Sequence, residues 1–375
     1  MFNSTSDYVK NIDSLVSHLK YEGDRQYFLK SLIKKYGSDN EVAKDIRDHM
    51  SGFRSVYVNS KRFNYNSSIV SLYGFLENYL EAVIKELVLK INSARPKFNN
   101  LPKEIRNSHL NTSIDLITKI QRDRSLSKDV KDELIKTIVY NLNSCAQGDD
   151  GYRLNEDSFS IHTANFRYDS IHSFFNKVGV SHLPRRTLKC KNLQVSLAEK
   201  HSGEKTLEQK LLVSLLQSEL DDLAQRRNEI AHGSFEGEIE SIDLLINRAV
   251  FLKAFGCAID KILNDYYYEF AFSSGLKVSI GKPDKVYNKI KVIGFSGENF
   301  PDESLGGEIY VGQKIFAFND SGKNKLKHGS IVSIKSNGSE FDRIKIKNKT
   351  SIGVMVDFDL SSHDSSRVIY TASIE

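Results

Sequence analysis

LEQKLLVSLLQSELDDLAQRRNEIAHG, residues 207–233, is the stretch from which the fold is read. Leu211, Leu212, Leu215, Leu216, Leu220, Leu223, Ile230 and Ala231 recur at helical spacing, so it reads as one amphipathic helix from Leu207 to His232. Gly233 supplies the left-handed residue on which helices commonly stop. A stripe this long needs a helical body to bury it. The polar residues Arg227, Asn228 and His232 fall where the stripe ends. Asn228 and His232 stack on one face a turn apart, with Arg227 one step round. Arg forks onto phosphate oxygens, Asn offers an amide, and His exchanges protons near neutrality. Two readings fit: a phosphate site, or a helix C-cap where cations favour the carbonyl end.

Upstream, Ile69, Leu72, Tyr73, Leu76, Leu80, Val83, Leu87 and Ile91 follow the i, i+3, i+4, i+7 rule, predicting a helix over Ser68–Ile91 that Arg95-Pro96 ends. Glu77 lies within it beside Tyr73 and Leu80. Burial of its carboxylate calls for a cation, and Arg227 is the expected partner; the alternative is a Glu on an exposed face.

Arg227-Asn228-Glu229-Ile230-Ala231-His232 resembles the R-x4-6-H motif of the HEPN superfamily, in which a polar residue, often Asn, follows the Arg. With SIVSLYGFLENYLE at 68–81 far upstream, the chain is most similar to the branch called RiboL-PSP-HEPN, over roughly residues 60 to 270. The resemblance implies a metal-independent endoribonuclease, without cofactor, that cleaves RNA by 2′-OH transesterification. His232 would move protons, Arg227 would stabilise phosphate charge and Asn228 would orient one or the other. It also implies a homodimer whose two motif helices form one composite cleft, and a toxin or antiphage role with an antitoxin or defence-system partner. The alternative is a non-catalytic RNA- or nucleotide-binding module, or a scaffold.

The 375 residues carry a net charge of +5, which permits nucleic-acid binding without demanding it. No apolar run is long enough to span a bilayer, and Met1 to Lys20 lacks a hydrophobic block, so no membrane association and a cytoplasmic location are expected. Cys145, Cys190 and Cys257 are too few and too scattered for a disulfide framework or a zinc site. His162, His172 and His182 match no metal-ligand spacing. P-loop, dinucleotide, G-x-S-x-G and H-E-x-x-H patterns are all missing.

Around this centre the chain reads as α+β: a mainly helical HEPN-type bundle followed by a small all-β, barrel-like domain. Residues 1–60 form an N-terminal helical segment, with stripes Tyr8–Leu19 and Tyr27–Tyr36 and a third segment at Ala43–Met50, packing on the helical domain of 61–272 or on a partner. Further helices are expected at Ile105–Arg122, Ser127–Leu142, Ser170–Val178 with Asp169 as cap, and Ile239–Phe272. Arg185, Arg186, Lys189 and Lys191 cluster on a loop, as a solvated surface or as phosphate contacts. From 276 to 375 the period shortens to that of six strands, expected at Ile290–Phe295, Glu308–Phe318, Ser330–Lys335, Phe341–Asn348, Gly353–Phe358 and Val368–Ser373. In one of them Arg343, Lys345, Lys347 and Lys349 share a face at about 6.5–7 Å spacing, either to meet RNA phosphates or to guard an edge.

Overall fold

The computed structural model describes the chain except residues 1, 37–40, 42–43, 46–47, 49–53, 95, 150, 202–206, 297–299, 320–325, 348–349 and 374–375. Two units result: residues 1–92 with 97–264, and residues 93–96 with 265–375. The first is helical and the second is built on antiparallel strands, the α+β class expected.

The helical unit is organised on α2 (Arg54–Ala94), where Ile69, Leu72, Leu76, Leu80, Val83, Leu87 and Ile91 are at most 1% exposed. Each such side chain contributes about 1.5–3 kcal/mol by leaving water. The helices α9 (Gln209–Ala231) and α10 (Ile242–Ser273) bury most of the stripes read from the sequence, Leu212, Leu216, Leu220 and Leu223 on one, Leu245, Ala249, Leu252, Phe255 and Ile259 on the other, whereas Leu211 and Ala231, at the two ends of the first stripe, are exposed. Between α2 and α9 run α3 (Lys103–Arg122), α4 (Lys128–Gln147), α5 (Glu156–Phe159), α6 (Tyr168–Asn176), α7 (Leu183–Thr187) and α8 (Lys191–His201). Ser127 caps α4 by accepting from the Val130 N–H. The expected Asp169 cap is corrected: Asp169 lies in the first turn of α6, and the Ser170 hydroxyl takes the Arg167 N–H at 2.6 Å.

The N-terminal helix α1 (Asn3–Tyr36) buries Tyr8, Ile12 and Leu19. Tyr8 stacks on Tyr79, centroids 4.6 Å apart, and donates to the Leu252 carbonyl at 2.9 Å. Gly256 makes that approach possible, since a Cβ there would stand 2.4 Å from the Tyr8 ring. Farther along, Tyr27 and Phe28 are exposed, so these two do not pack on the helical body, the first of the two alternatives expected for the second stripe. The side chains of Leu32, Ile33 and Tyr36, and most of Ala43–Met50, fall outside the described residues.

Inside the unit, the Nε2 of His109 accepts the Asn155 N–H at 2.9 Å, and burial pushes its pKa down to about 4. The unfolded chain therefore binds a proton that the folded one refuses between pH 6.5 and about 4. Stability is complete above that window and lost as pH falls through it, by on the order of 3 kcal/mol. Urea unfolding at pH 7 and 4.5 should show this loss, and His109→Gln, whose amide oxygen still accepts, should show less of it. An equal loss in both proteins would remove His109 as the cause.

In the second unit the strands β1 (Lys277–Gly281), β2 (Lys285–Tyr287), β3 (Val292–Phe295), β5 (Lys314–Phe318), β6 (Leu326–Ser336), β9 (Ile352–Val356) and β10 (Val368–Ala372) pair in the order β1-β10-β5-β6-β9-β3-β2. The barrel-like expectation is corrected here: the path ends on β1 and β2, and the sheet does not close. The long β6 pairs β5 in its first half and β9 in its second, with a register shift between Ile331 and Ser333. Two of the expected strands are each broken in two. Val311-Gly312, with Gly312 at φ +89°, separates β4 (Glu308–Tyr310) from β5. Likewise β7 (Ser339–Phe341) pairs β6 whereas β8 (Arg343–Lys345) pairs β4. Ile280, Ile293, Ile315, Ile331, Ile334, Val354 and Ile369 fill the core. Phe316 packs instead on Phe272 at the end of α10.

Candidate functional site

The last turn of α9 closes as its sequence dictates. Gly233 takes φ +70°, its N–H bonds Ile230 O at 3.1 Å, and the Ser234 N–H bonds Glu229 O at 2.9 Å, a Schellman closure. His232 is the C-cap, and its side chain stands exposed with no hydrogen-bond partner among the described residues.

Adjacent arginines on this turn have opposite surroundings. Arg226 is committed to the fold: its guanidinium bonds both oxygens of Asp222 at 2.8 and 3.0 Å and the Tyr65 hydroxyl at 2.7 Å. Arg227 meets no carboxylate within ion-pair distance among the described residues. It lies over the Tyr73 ring, 4.9 Å from the centroid, and its Nη1 donates to Asn228 Oδ1 at 3.2 Å. A cation without a counter-ion is available to an anionic ligand.

The direct Glu77–Arg227 pair predicted from the sequence does not form; the two meet through Tyr73. Glu77 sits one turn on from Tyr73 and accepts from its hydroxyl at 3.4 Å, while Arg227 covers the ring. Burial pushes the Tyr73 hydroxyl up to about 12, in spite of the Phe166 N–H that bonds it at 2.9 Å, so it remains a donor. Its single proton is shared between Glu77 and Asn165 Oδ1, which is also 3.4 Å away. Asn165 in turn donates to Asn228 Oδ1 at 3.1 Å, joining the 160–167 segment to the motif helix. That segment is held on α2 a second time, by His162 Nε2 on Glu81 at 2.7 Å. Tyr73, Glu77 and Glu81 thus line one face of α2, each a turn apart. Asn165 also lines an open cleft of about 500 Å³ with Thr163, Ala164, Arg167, Ser170 and Asp221.

Beneath the motif a charged cluster anchors the chain on both sides of it. Arg248, on α10, is 3% exposed and bonds Asp222 at 2.8 Å and Glu240 at 2.5 Å, with Glu219 at 3.6 Å. Lys200 closes on Glu219 at 2.5 Å. Glu240 follows His232 in the connection to α10, so this cluster fixes the backbone that leaves the motif. No sequence pattern pointed to it, because its members come from three helices and a loop.

The other expected residues are dispersed. Arg185, Arg186, Lys189 and Lys191 lie not on a loop but on α7, at the start of α8 and between them; Arg185, Lys189 and Lys191 are exposed and Arg186 partly so. Arg343 and Lys345 flank Ile344 on β8, opposite β4, and Arg343 reaches Glu308 at 3.5 Å. Lys347 is exposed beyond the strand end, and Lys349 lies outside the described residues. The regular spacing expected over four cations therefore holds for the first two. Among the described residues no three His, Cys, Asp or Glu side chains are arranged to hold a metal ion, and no helix is long and apolar enough to cross a membrane. The three cysteines form no disulfide.

A family model described as RiboL-PSP-HEPN matches residues 39–265, more than half of the chain and all of the arrangement around Arg227. The match stops where the helical unit ends, at Asn264, and leaves the strands of the second unit outside. No curated protein matches the chain.

Proposed function

Because the chain belongs to the RiboL-PSP-HEPN family, within a superfamily whose members are commonly ribonucleases, we propose that it is a metal-independent endoribonuclease acting at Arg227, Asn228 and His232. The observation that carries this reading is the state of Arg227: a guanidinium without a carboxylate partner among the described residues, beside an amide whose oxygen already accepts two hydrogen bonds. Together they offer donors to the two non-bridging oxygens of a phosphodiester.

In the proposed reaction the ribose 2′ oxygen attacks the neighbouring phosphorus and the bond to the 5′ oxygen breaks, leaving a 2′,3′-cyclic phosphate and a 5′-hydroxyl. One imidazole removes the 2′ proton and a second protonates the leaving oxygen. A single exposed His232 cannot do both at once. A homodimer supplies the second, the partner subunit's His232, across a two-fold axis. Glu77 supports the site through Tyr73, and Arg185, Arg186, Lys189 and Lys191 hold the strand by its phosphates. A cytoplasmic toxin or antiphage effector, with an antitoxin or defence-system partner, is the setting that fits such an enzyme.

One observation favours a second reading, a non-catalytic RNA-binding module: no described residue orients the His232 ring. Labelled RNA containing a single ribose, all other positions 2′-deoxy, separates the two. The enzyme is expected to cut this strand once, 3′ to the ribose, and to leave an all-deoxy strand whole. A protein that binds both strands and cuts neither is a binder.

The β unit makes its own prediction. If Lys345 and Lys347 meet RNA phosphates, the double variant Lys345→Ala/Lys347→Ala should reduce the salt slope of RNA affinity by roughly 1.4, about 0.7 per single-strand contact. An unchanged slope assigns these cations to edge protection instead.

A further inference from the structure

A carboxamide helps or repels phosphate according to which end it presents, and for Asn228 the hydrogen bonds fix that end. Its Oδ1 accepts from Arg227 Nη1 at 3.2 Å and from Asn165 Nδ2 at 3.1 Å, which fills both lone pairs. The –NH2 therefore occupies the other position, and it has no acceptor among the described residues. The two donors on Oδ1 are not equivalent. Once a phosphate takes the Arg227 guanidinium, that hydrogen bond is the one to be lost, and Asn165 alone keeps the amide turned.

Asn165 is well placed to do so. Its own Oδ1 accepts from the Tyr73 hydroxyl at 3.4 Å, and that hydroxyl is oriented by the Phe166 N–H at 2.9 Å. Its backbone carbonyl accepts from Ser170 Oγ at 2.7 Å. Three residues back, His162 bridges Glu81 at 2.7 Å and the Ala164 carbonyl at 3.0 Å. With the Tyr73 hydroxyl on the Oδ1 side and the backbone carbonyl held by Ser170, the amide of Asn165 is turned so that its Nδ2 donates toward Asn228.

We infer that Asn165, 63 positions before Asn228 and outside the motif, is a positioning residue of the phosphate site: it turns the Asn228 –NH2 toward the ligand oxygen beside Arg227. This rests on the phosphate reading of Arg227 and Asn228 proposed above. The ligand class is an RNA phosphodiester. The sequence motif is then incomplete without a residue from a loop that no local pattern marks.

The test is fluorescence anisotropy with a labelled 2′-O-methyl RNA, which lacks the nucleophile and stays intact. Asn165→Ala and Asn228→Ala are each expected to weaken binding about tenfold, and the double variant to bind no worse than Asn228→Ala. Asn165→Leu, nearly the same shape but with neither the donor nor a charge, should weaken binding at least as much as Asn165→Ala; a residue that only packs would tolerate it. Additive losses in the double variant, or wild-type binding by Asn165→Leu, overturn the positioning role while a weakened Arg227→Ala leaves the phosphate site standing. Wild-type binding by Arg227→Ala removes the site itself, and the positioning role with it.

Discussion

Arg227→Ala is expected to lower RNA cleavage by about 10³-fold while the protein unfolds close to the wild-type temperature. The loss follows from removing a guanidinium that stabilises charge developing on the phosphate, an effect typically worth two to three orders of magnitude per donor. Stability should change little, because Arg227 contributes one hydrogen bond and one stacking contact on Tyr73, together on the order of 1 kcal/mol. His232→Ala should behave likewise, since its exposed ring bonds nothing among the described residues. Arg226→Ala supplies the contrast. Its side chain ties Asp222 and Tyr65 together, so this variant should lose stability first and activity only as a consequence. Rates on a labelled RNA, read beside thermal melts, distinguish the cases. Full activity in Arg227→Ala, or a collapsed fold in His232→Ala, would contradict the assignment.

Arg248→Ala is expected to have the largest effect on folding, a loss of about 3–5 kcal/mol. Burial works against the charge of Arg248, yet Glu240, Glu219 and Asp222 outweigh it and hold its pKa well above the ordinary arginine value. Removing it takes away one of the cations that balance Glu219, itself 6% exposed, and shifts that load onto Lys200. Burial and the nearby Arg248 both lower the Lys200 pKa, so the variant should relieve that lysine while stranding the acids. Because Glu240 lies in the segment that leaves His232, local release of the motif should accompany the loss. Urea denaturation gives the magnitude, and a change below about 1 kcal/mol would show that the cluster is replaceable by water.

The helices were legible because their information is local. Ile69 to Ile91 and Leu212 to Leu223 announce their buried faces by spacing alone, and Gly233 announces the turn that ends α9. The family, too, could be read from Arg227, Asn228, His232 and the upstream helix. The extended segments were harder. Phe341 and Arg343 stand two apart on one apparent strand but pair with different partners, and nothing in alternation says which. The surroundings of the motif were least legible of all. Tyr65 and Arg226 meet across 161 positions, Tyr73 and Phe166 across 93, and each polar residue of such a pair looks locally like a solvated side chain. The predicted Glu77–Arg227 pair failed for the same reason: two helices placed the residues near each other, but an intervening aromatic decided how they meet.

The most direct measurement of the central claim is the chemistry of the RNA ends produced in EDTA, read by mass spectrometry. Attack by the 2′ oxygen predicts a 2′,3′-cyclic phosphate on one fragment and a 5′-hydroxyl on the other, lost together in Arg227→Ala and His232→Ala. Ends bearing a 3′-hydroxyl and a 5′-phosphate, or cleavage that survives in either variant, would contradict it.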